Sequence, residues 1–116
     1  ANKITAMLID QNDNKSDLFV NFFAKLASSS KGTAAFHLLR KSPVVLVTCP
    51  YVGDHLEITF QHITFELSGE QEKDTLEISQ KITSALENVI RKYPEQYFWM
   101  HRRWRARPTE DSERIY

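Results

Sequence analysis

Val44-Val45-Leu46-Val47-Thr48-Cys49, set between Pro43 and Pro50, is the stretch on which the fold turns. Apolar, mostly β-branched residues run through it without a charged break, the pattern of a strand buried on both faces. Upstream, Ser28-Ser29-Ser30-Lys31-Gly32 leads into a segment where Ala34, Ala35, Leu38 and Leu39 share one helical face. Ser30 is the expected N-cap of a helix over about residues 31 to 41, because its hydroxyl can accept from a free first-turn N–H. Pro43 ends that helix. Ile4 to Ile9 reads as an earlier strand, and Asp10-Gln11-Asn12-Asp13-Asn14 ends it, since Asx residues favour turns. Leu18 to Phe23 is a further short extended run. Strand, helix, buried strand is the order of a parallel crossover unit.

Beyond the central run, Gly53-Asp54 supports a turn into His55 to Leu67. There Leu56, Ile58 and Phe60 alternate, and Ile63, Phe65 and Leu67 continue on the opposite parity. A one-residue phase change flips faces, so a bulge or break is expected near Gln61-His62. Asp74 or Thr75 caps a long helix reaching Tyr93, with Ile78, Ile82, Leu86, Val89 and Tyr93 as its apolar stripe. Pro94 stops it and suits the first turn of a last helix, from Glu95 to about Arg105. The expected fold is α/β: a mostly parallel sheet with one antiparallel extension and flanking helices. With 116 residues, one domain or partial domain over 1–116 is the ceiling.

Lys and Arg number 15, as do Asp and Glu, so the formal charge is zero. The signs nevertheless separate along the chain. Residues 101 to 107 hold His101, Arg102, Arg103, Arg105 and Arg107 with no acid, and Glu110, Asp111 and Glu113 follow. A neutral total therefore says nothing against a local basic patch. The apolar runs are far too short to span a bilayer, and no secretory signal is visible. One cysteine, Cys49, permits no internal disulfide and no cysteine-based zinc site; in so apolar a strand it reads as a buried, inert thiol. His37, His55, His62 and His101 are too scattered for a metal site, and no metal or cofactor is expected.

The most unusual stretch is Pro94-Glu95-Gln96-Tyr97-Phe98-Trp99-Met100-His101-Arg102-Arg103-Trp104-Arg105-Ala106-Arg107-Pro108. On a helix, Tyr97, Met100 and Trp104 fall on one face, which suits a core. The four arginines repel one another, and an anionic ligand or partner would relieve that. Asp10-Gln11 at a strand end could line a crevice; spacing alone favours an ordinary Asx turn.

That stretch resembles the C-terminal motif of the bacterial late acyltransferases of lipid A biosynthesis, the lauroyl and myristoyl transferases. Met7-Leu8-Ile9-Asp10-Gln11-Asn12 resembles the family's strand ending in Asp-Gln. Phe19-Val20-Asn21-Phe22-Phe23, with Ala27 and Gly32 following, is similar to its Phe-Val-Pro-Phe-Phe-Gly segment, and Pro43-Val44-Val45 to the next strand. Asn21 stands where the family usually has proline, Ala24-Lys25-Leu26 where it has Gly-Arg-Pro, and Lys31 where proline is common. The family's catalytic histidine, followed five positions later by an acid, has no counterpart: those positions after the four histidines hold Ser42, Phe60, Leu67 and Ala106. No catalytic residue is therefore assigned.

The resemblance implies the C-terminal part of an acyltransferase fold without its catalytic half, inactive alone. The parent reaction would be acyl transfer from acyl carrier protein to a hydroxyl of a phosphorylated lipid A precursor. It would proceed at the cytoplasmic face of the inner membrane, the fragment itself being soluble. Binding roles fall to Asp10, Gln11, Glu95, Gln96, Tyr97, His101, Arg102, Arg103, Arg105 and Arg107. Their expected partners are the carrier protein, the phosphorylated acceptor and the membrane surface. The alternative is a non-catalytic module binding anionic lipid or carrier protein. Nucleic acid is not expected, given a pI near 7.1. A second copy covering an open sheet edge is a further expected partner.

Overall fold

The structure is a computed structural model, described here over residues 2–116. It begins irregularly: residues 2–9 form no strand, and Ile4 and Leu8 lie open to solvent. Strands β1 (Phe19–Phe22) and β2 (Lys25–Ser28) then form an antiparallel hairpin, Phe19 opposite Ser28 and Phe22 opposite Lys25. Helix α1 (Gly32–Arg40) follows and stops at Lys41, whose φ is +54°. The N-cap of this helix is Lys31, with no side-chain cap bond, rather than the expected Ser30, which lies one residue earlier with its Oγ accepting from the Gly32 N–H at 3.2 Å.

Strand β3 (Val44–Thr48) carries the central apolar run. A small hairpin, β4 (Tyr51–Val52) and β5 (His55–Leu56), turns through Gly53 at φ +64° and leads into β6 (Thr59–Ile63). β6 returns antiparallel along β3, from Thr48 opposite Thr59 to Val44 opposite Ile63. Helix α2 (Gln71–Lys92) crosses back over the strands, and a short 3₁₀ turn, Pro94–Gln96, opens an irregular C-terminal segment.

The mostly parallel sheet is therefore not what the chain forms. Every strand pair among the described residues is antiparallel, in three separate two-stranded sheets. The physical reason lies in who pairs with whom. The early apolar segment supplies no strand, β1 and β2 satisfy each other across a tight turn, and β3 finds its partner downstream. No parallel neighbour is left for the helix to cross toward.

The same pairing corrects the two-sided burial of β3. Val44 and Leu46 pack on the core, but Val45 and Val47 are 47% and 53% exposed. Phe60, opposite Val47, shares that outer face and is 69% exposed. Cys49 is exposed rather than buried. The β3–β6 ladder also runs unbroken through Gln61-His62. The break falls earlier, at Glu57-Ile58, where the Glu57 N–H bonds the Pro50 carbonyl at 2.9 Å.

α2 organises the interior. Ile78, Ile82 and Ala85 pack with Ala34 and Ile63, flanked by Ile9, Leu38, Val44, Leu46 and Phe65. One and a half turns on, Ile90 joins Phe22 and Ala27, flanked by Phe23, Leu86, Tyr97 and Trp104. The start of α2 is held by Asp74, three residues inside the helix. Its carboxylate accepts from the Ser68 N–H at 2.7 Å, the Ser68 hydroxyl at 2.8 Å and the Gly69 N–H at 3.0 Å. The body is flat, with extents of 45 × 45 × 22 Å, and among the described residues no helix is long and apolar enough to cross a membrane.

The β1–β2 tip is strained. Phe23 and Ala24 sit at φ +50° and +60°, the two left-handed positions of a tight hairpin that usually favour glycine or asparagine. α2 holds the tip: the Phe23 N–H donates to Glu87 Oε2 at 2.8 Å, and the Arg91 guanidinium lies 4.8 Å above the Phe23 ring. Ala24→Gly should raise stability by about 1 kcal/mol by removing a Cβ clash. An unchanged or lowered urea midpoint would place the strain elsewhere.

Asp74 gives a pH signature. The Ser68 backbone N–H, foremost, holds its carboxyl below the ordinary value, against the opposing effect of burial. A depressed carboxylate stabilises the fold above its unfolded pKa of about 3.9 and loses that effect as pH falls through the folded value. Asp74→Asn should destabilise at neutral pH, and its deficit against wild type should shrink below about pH 4. A pH-independent deficit in chemical denaturation would contradict this.

Candidate functional site

The fifteen-residue motif from Pro94 to Pro108 does not make the expected helix from Glu95 to about Arg105. After the 3₁₀ turn, Tyr97 is extended, with φ −84° and ψ 141°, and single turns carry the backbone onward. Short backbone bonds link Trp99 N–H to the Tyr97 carbonyl, Arg103 N–H to His101 and Arg105 N–H to Arg102. Side chains here obey what they reach, not a helical period. Tyr97 and Trp104 turn into the core while Met100, predicted beside them, is exposed.

Arg103 sits at the centre. It is 1% exposed, the largest fully buried side chain described. Its Nη1 donates to the Ser28 carbonyl at 2.5 Å, and its guanidinium lies 5.5 Å from the Phe22 ring centre. Burial pulls its pKa down, and the nearby Tyr97 and Asp10 oppose that pull. An arginine begins so far above neutrality that it stays charged. Phe22 is boxed by Trp104 at 5.4 Å and Tyr97 at 6.0 Å between ring centres, and Trp104 Nε1 donates to the Phe22 carbonyl at 3.3 Å.

The segment Asp10–Asn12 closes onto this cluster. Tyr97 Oη donates to the Asp10 carbonyl at 2.8 Å, and burial pushes the phenol up to about 12. The Asn12 N–H donates to His101 Nε2 at 2.9 Å, so that ring nitrogen carries no proton in this arrangement. Asn12 Oδ1 accepts from both the Ser28 hydroxyl at 2.9 Å and the Ala106 N–H at 3.1 Å. The Ser28 hydroxyl accepts in turn from the Asp13 N–H at 3.0 Å. Three stretches far apart in sequence thus share one polar junction.

Of the residues singled out from sequence, Asp10, Tyr97, His101 and Arg103 meet at this junction. Arg102, Arg105 and Arg107 lie on its outer side and line a shallow surface cavity of about 220 Å³ with Trp104, Arg114 and Tyr116. Gln11 and Glu95 are exposed and belong to neither group. Gln96 is committed elsewhere: its side-chain amide pairs with the Tyr51 backbone, accepting at 2.8 Å and donating at 3.0 Å. Asn12, Phe22, Ser28 and Arg114 escaped the sequence reading. Asn12 was inside the quoted Asp-Gln-Asn stretch, but two of its partners, His101 and Ala106, lie some ninety residues away. Ser28 looked like part of a serine linker.

The other histidines form no acid–base pair in a cleft. His37 Nδ1 meets the Ser42 carbonyl at 2.8 Å, its ring edge-on to Phe65. His55 lies near Asp54 and Glu57 on the exposed small hairpin. Among the described residues, no three His, Cys, Asp or Glu side chains gather as a metal site.

The chain matches a family model described as bacterial lipid A biosynthesis acyltransferase over residues 1–106. It is 29% identical over 99 residues to the lipid A biosynthesis palmitoleoyltransferase of Escherichia coli K12. The lipid A biosynthesis acyltransferase of Shigella flexneri matches to the same extent. Each alignment covers 84% of this chain and 32% of the relative, so the chain spans about a third of the length of these curated relatives.

Arg103→Lys should lower stability by about 2 kcal/mol, because a lysine cannot both reach the Ser28 carbonyl and stack flat on Phe22. Tyr97→Phe should cost about 1 kcal/mol through the lost bond to Asp10. Urea unfolding measures both; an Arg103→Lys protein as stable as wild type would remove the junction from its central place.

Proposed function

The chain belongs to the bacterial lipid A biosynthesis acyltransferase family, and from that premise we propose that it is a scaffold part of an enzyme moving a fatty acyl chain. The donor in this reading is acyl carrier protein, the acceptor a hydroxyl of a phosphorylated lipid A precursor, and the place the cytoplasmic face of the inner membrane. One observation carries the reading. The Asp10–Asn12 segment, the β1–β2 hairpin and the Tyr97–Arg107 segment, the same stretches that resemble the family, converge on one buried junction.

Within that enzyme the part described here positions other groups and does not itself perform the chemistry. General-base catalysis on a hydroxyl needs a histidine facing a cleft with a carboxylate behind it. His101 is engaged by a backbone N–H, His37 by a backbone carbonyl, and His55 stands on an exposed hairpin. The flat shape and the bare outer face of Val45, Val47 and Phe60 fit a body that packs against further parts of an enzyme about three times as long.

The test has two arms. The purified chain, given acyl-carrier-protein thioester and a lipid A precursor, should transfer no acyl group; turnover would overturn the scaffold role. A full-length protein carrying this region should transfer, and Arg103→Lys in it should lower activity and melting temperature together. A full-length protein without any transfer to that acceptor would overturn the reaction itself.

A further inference from the structure

The outer face of the β3–β6 ladder has the composition of a buried surface and lies bare. Antiparallel sheets with one wet face alternate apolar and polar residues along each strand. β3 does not alternate. Val44 and Leu46 pack on the core against α1 and α2, while Val45 and Val47, on the opposite parity, are as apolar and about half exposed. Across the ladder, Phe60 lies opposite Val47 and His62 opposite Val45, both exposed. Cys49 continues the outer parity of β3 and Ile58 that of β6, and both are exposed. None of these positions holds Lys, Arg, Asp or Glu. A contiguous apolar surface without charge marks a contact made with another body.

We propose that this face seats an amphipathic helix supplied by the part of the full-length enzyme that lies outside these 116 residues. The alignments take up 32% of each curated relative, so most of such an enzyme has still to be packed. The chemistry of the face selects what can lie on it. Apart from His62 and the weak Cys49 thiol it offers no hydrogen-bonding side chain, so an irregular segment laid across it would bury unmet backbone N–H and C=O groups. A helix satisfies its backbone internally and can present one apolar stripe. α1 and α2 already cover the inner side, and a helix on the outer side completes a layered α/β body. The five residues of β3 span about 17 Å, the length of about eleven helical residues, so a helix of three turns would cover the strand. The inference rests on the reading of this chain as part of a longer enzyme, and not on the acyl-transfer reaction.

The experiment uses a full-length protein carrying this region, with the photo-reactive substitution Phe60→p-benzoylphenylalanine. On irradiation it should cross-link within its own polypeptide, to residues three or four apart in a segment outside this region. A product of twice the chain mass would identify a second copy as the occupant, and a cross-link to phospholipid a bilayer surface. Either product, or no cross-link at all, would overturn the proposal. Native Cys49 gives a second reading that needs no substitution. Its alkylation by iodoacetamide, followed by mass spectrometry, should be about tenfold or more slower in the full-length protein than in the isolated 116-residue chain. Equal rates would overturn the docked helix, and so would a rate in the isolated chain that falls as its concentration rises. Neither arm reads acyl transfer, so the docking and the reaction can fail separately.

Discussion

A guanidinium buried against a phenylalanine ring holds this structure together. Placing the Arg103 charge out of water costs several kcal/mol unless hydrogen bonds and nearby charge offset it. Ser28 supplies a carbonyl, Phe22 a ring face and Asp10 a negative field. Each of those residues is thereby constrained. Phe22 and Ser28 must sit on facing strands of one hairpin, which demands the left-handed tip at Phe23-Ala24. That tip in turn needs Glu87 and Arg91 of α2 to hold it. Asn12 then stitches the first irregular segment to the last through Ser28, His101 and Ala106.

The same constraint explains why one run of arginines divides between inside and outside. A continuous helix would have spread Arg102, Arg103, Arg105 and Arg107 around its circumference. Because Arg103 and Trp104 are drawn inward, the backbone breaks into turns and its neighbours are displayed outward together. Inside, the cation organises the fold. Outside, the cations gather around one cavity.

Much of the fold was legible because some signals are local. The α2 stripe repeats at helical spacing, and Ile78 and Ile82 are buried as that period requires. Gly53 marks its turn, and Ser30 and Pro43 bracket α1. Strand partnership was not legible, because an apolar run such as Val44–Thr48 encodes its own extended shape and not the direction of its neighbour. Its one-sided burial depends on helices lying on a single face, which is a tertiary outcome. The C-terminal segment misled for a related reason: its spacing fits a helix, but long-range bonds from Trp104, Tyr97 and Arg103 outweigh that preference. Of this junction, the arginines stood out by charge and Asp10, Tyr97 and His101 were given binding roles only through the family resemblance, whereas Ser28 and Asn12 matter through partners that no local pattern reveals.

Native-state hydrogen exchange in an Arg103→Met protein tests the central claim most directly. Methionine fills much of the same volume and removes the charge and its bond to Ser28. The amides of Asn12, Asp13 and Ala106 should then lose protection together, although none of them hydrogen-bonds to Arg103, because Ser28 and Asn12 link them. Faster exchange confined to the residues next to position 103, with those three amides protected as in wild type, would contradict a junction organised by that one buried cation.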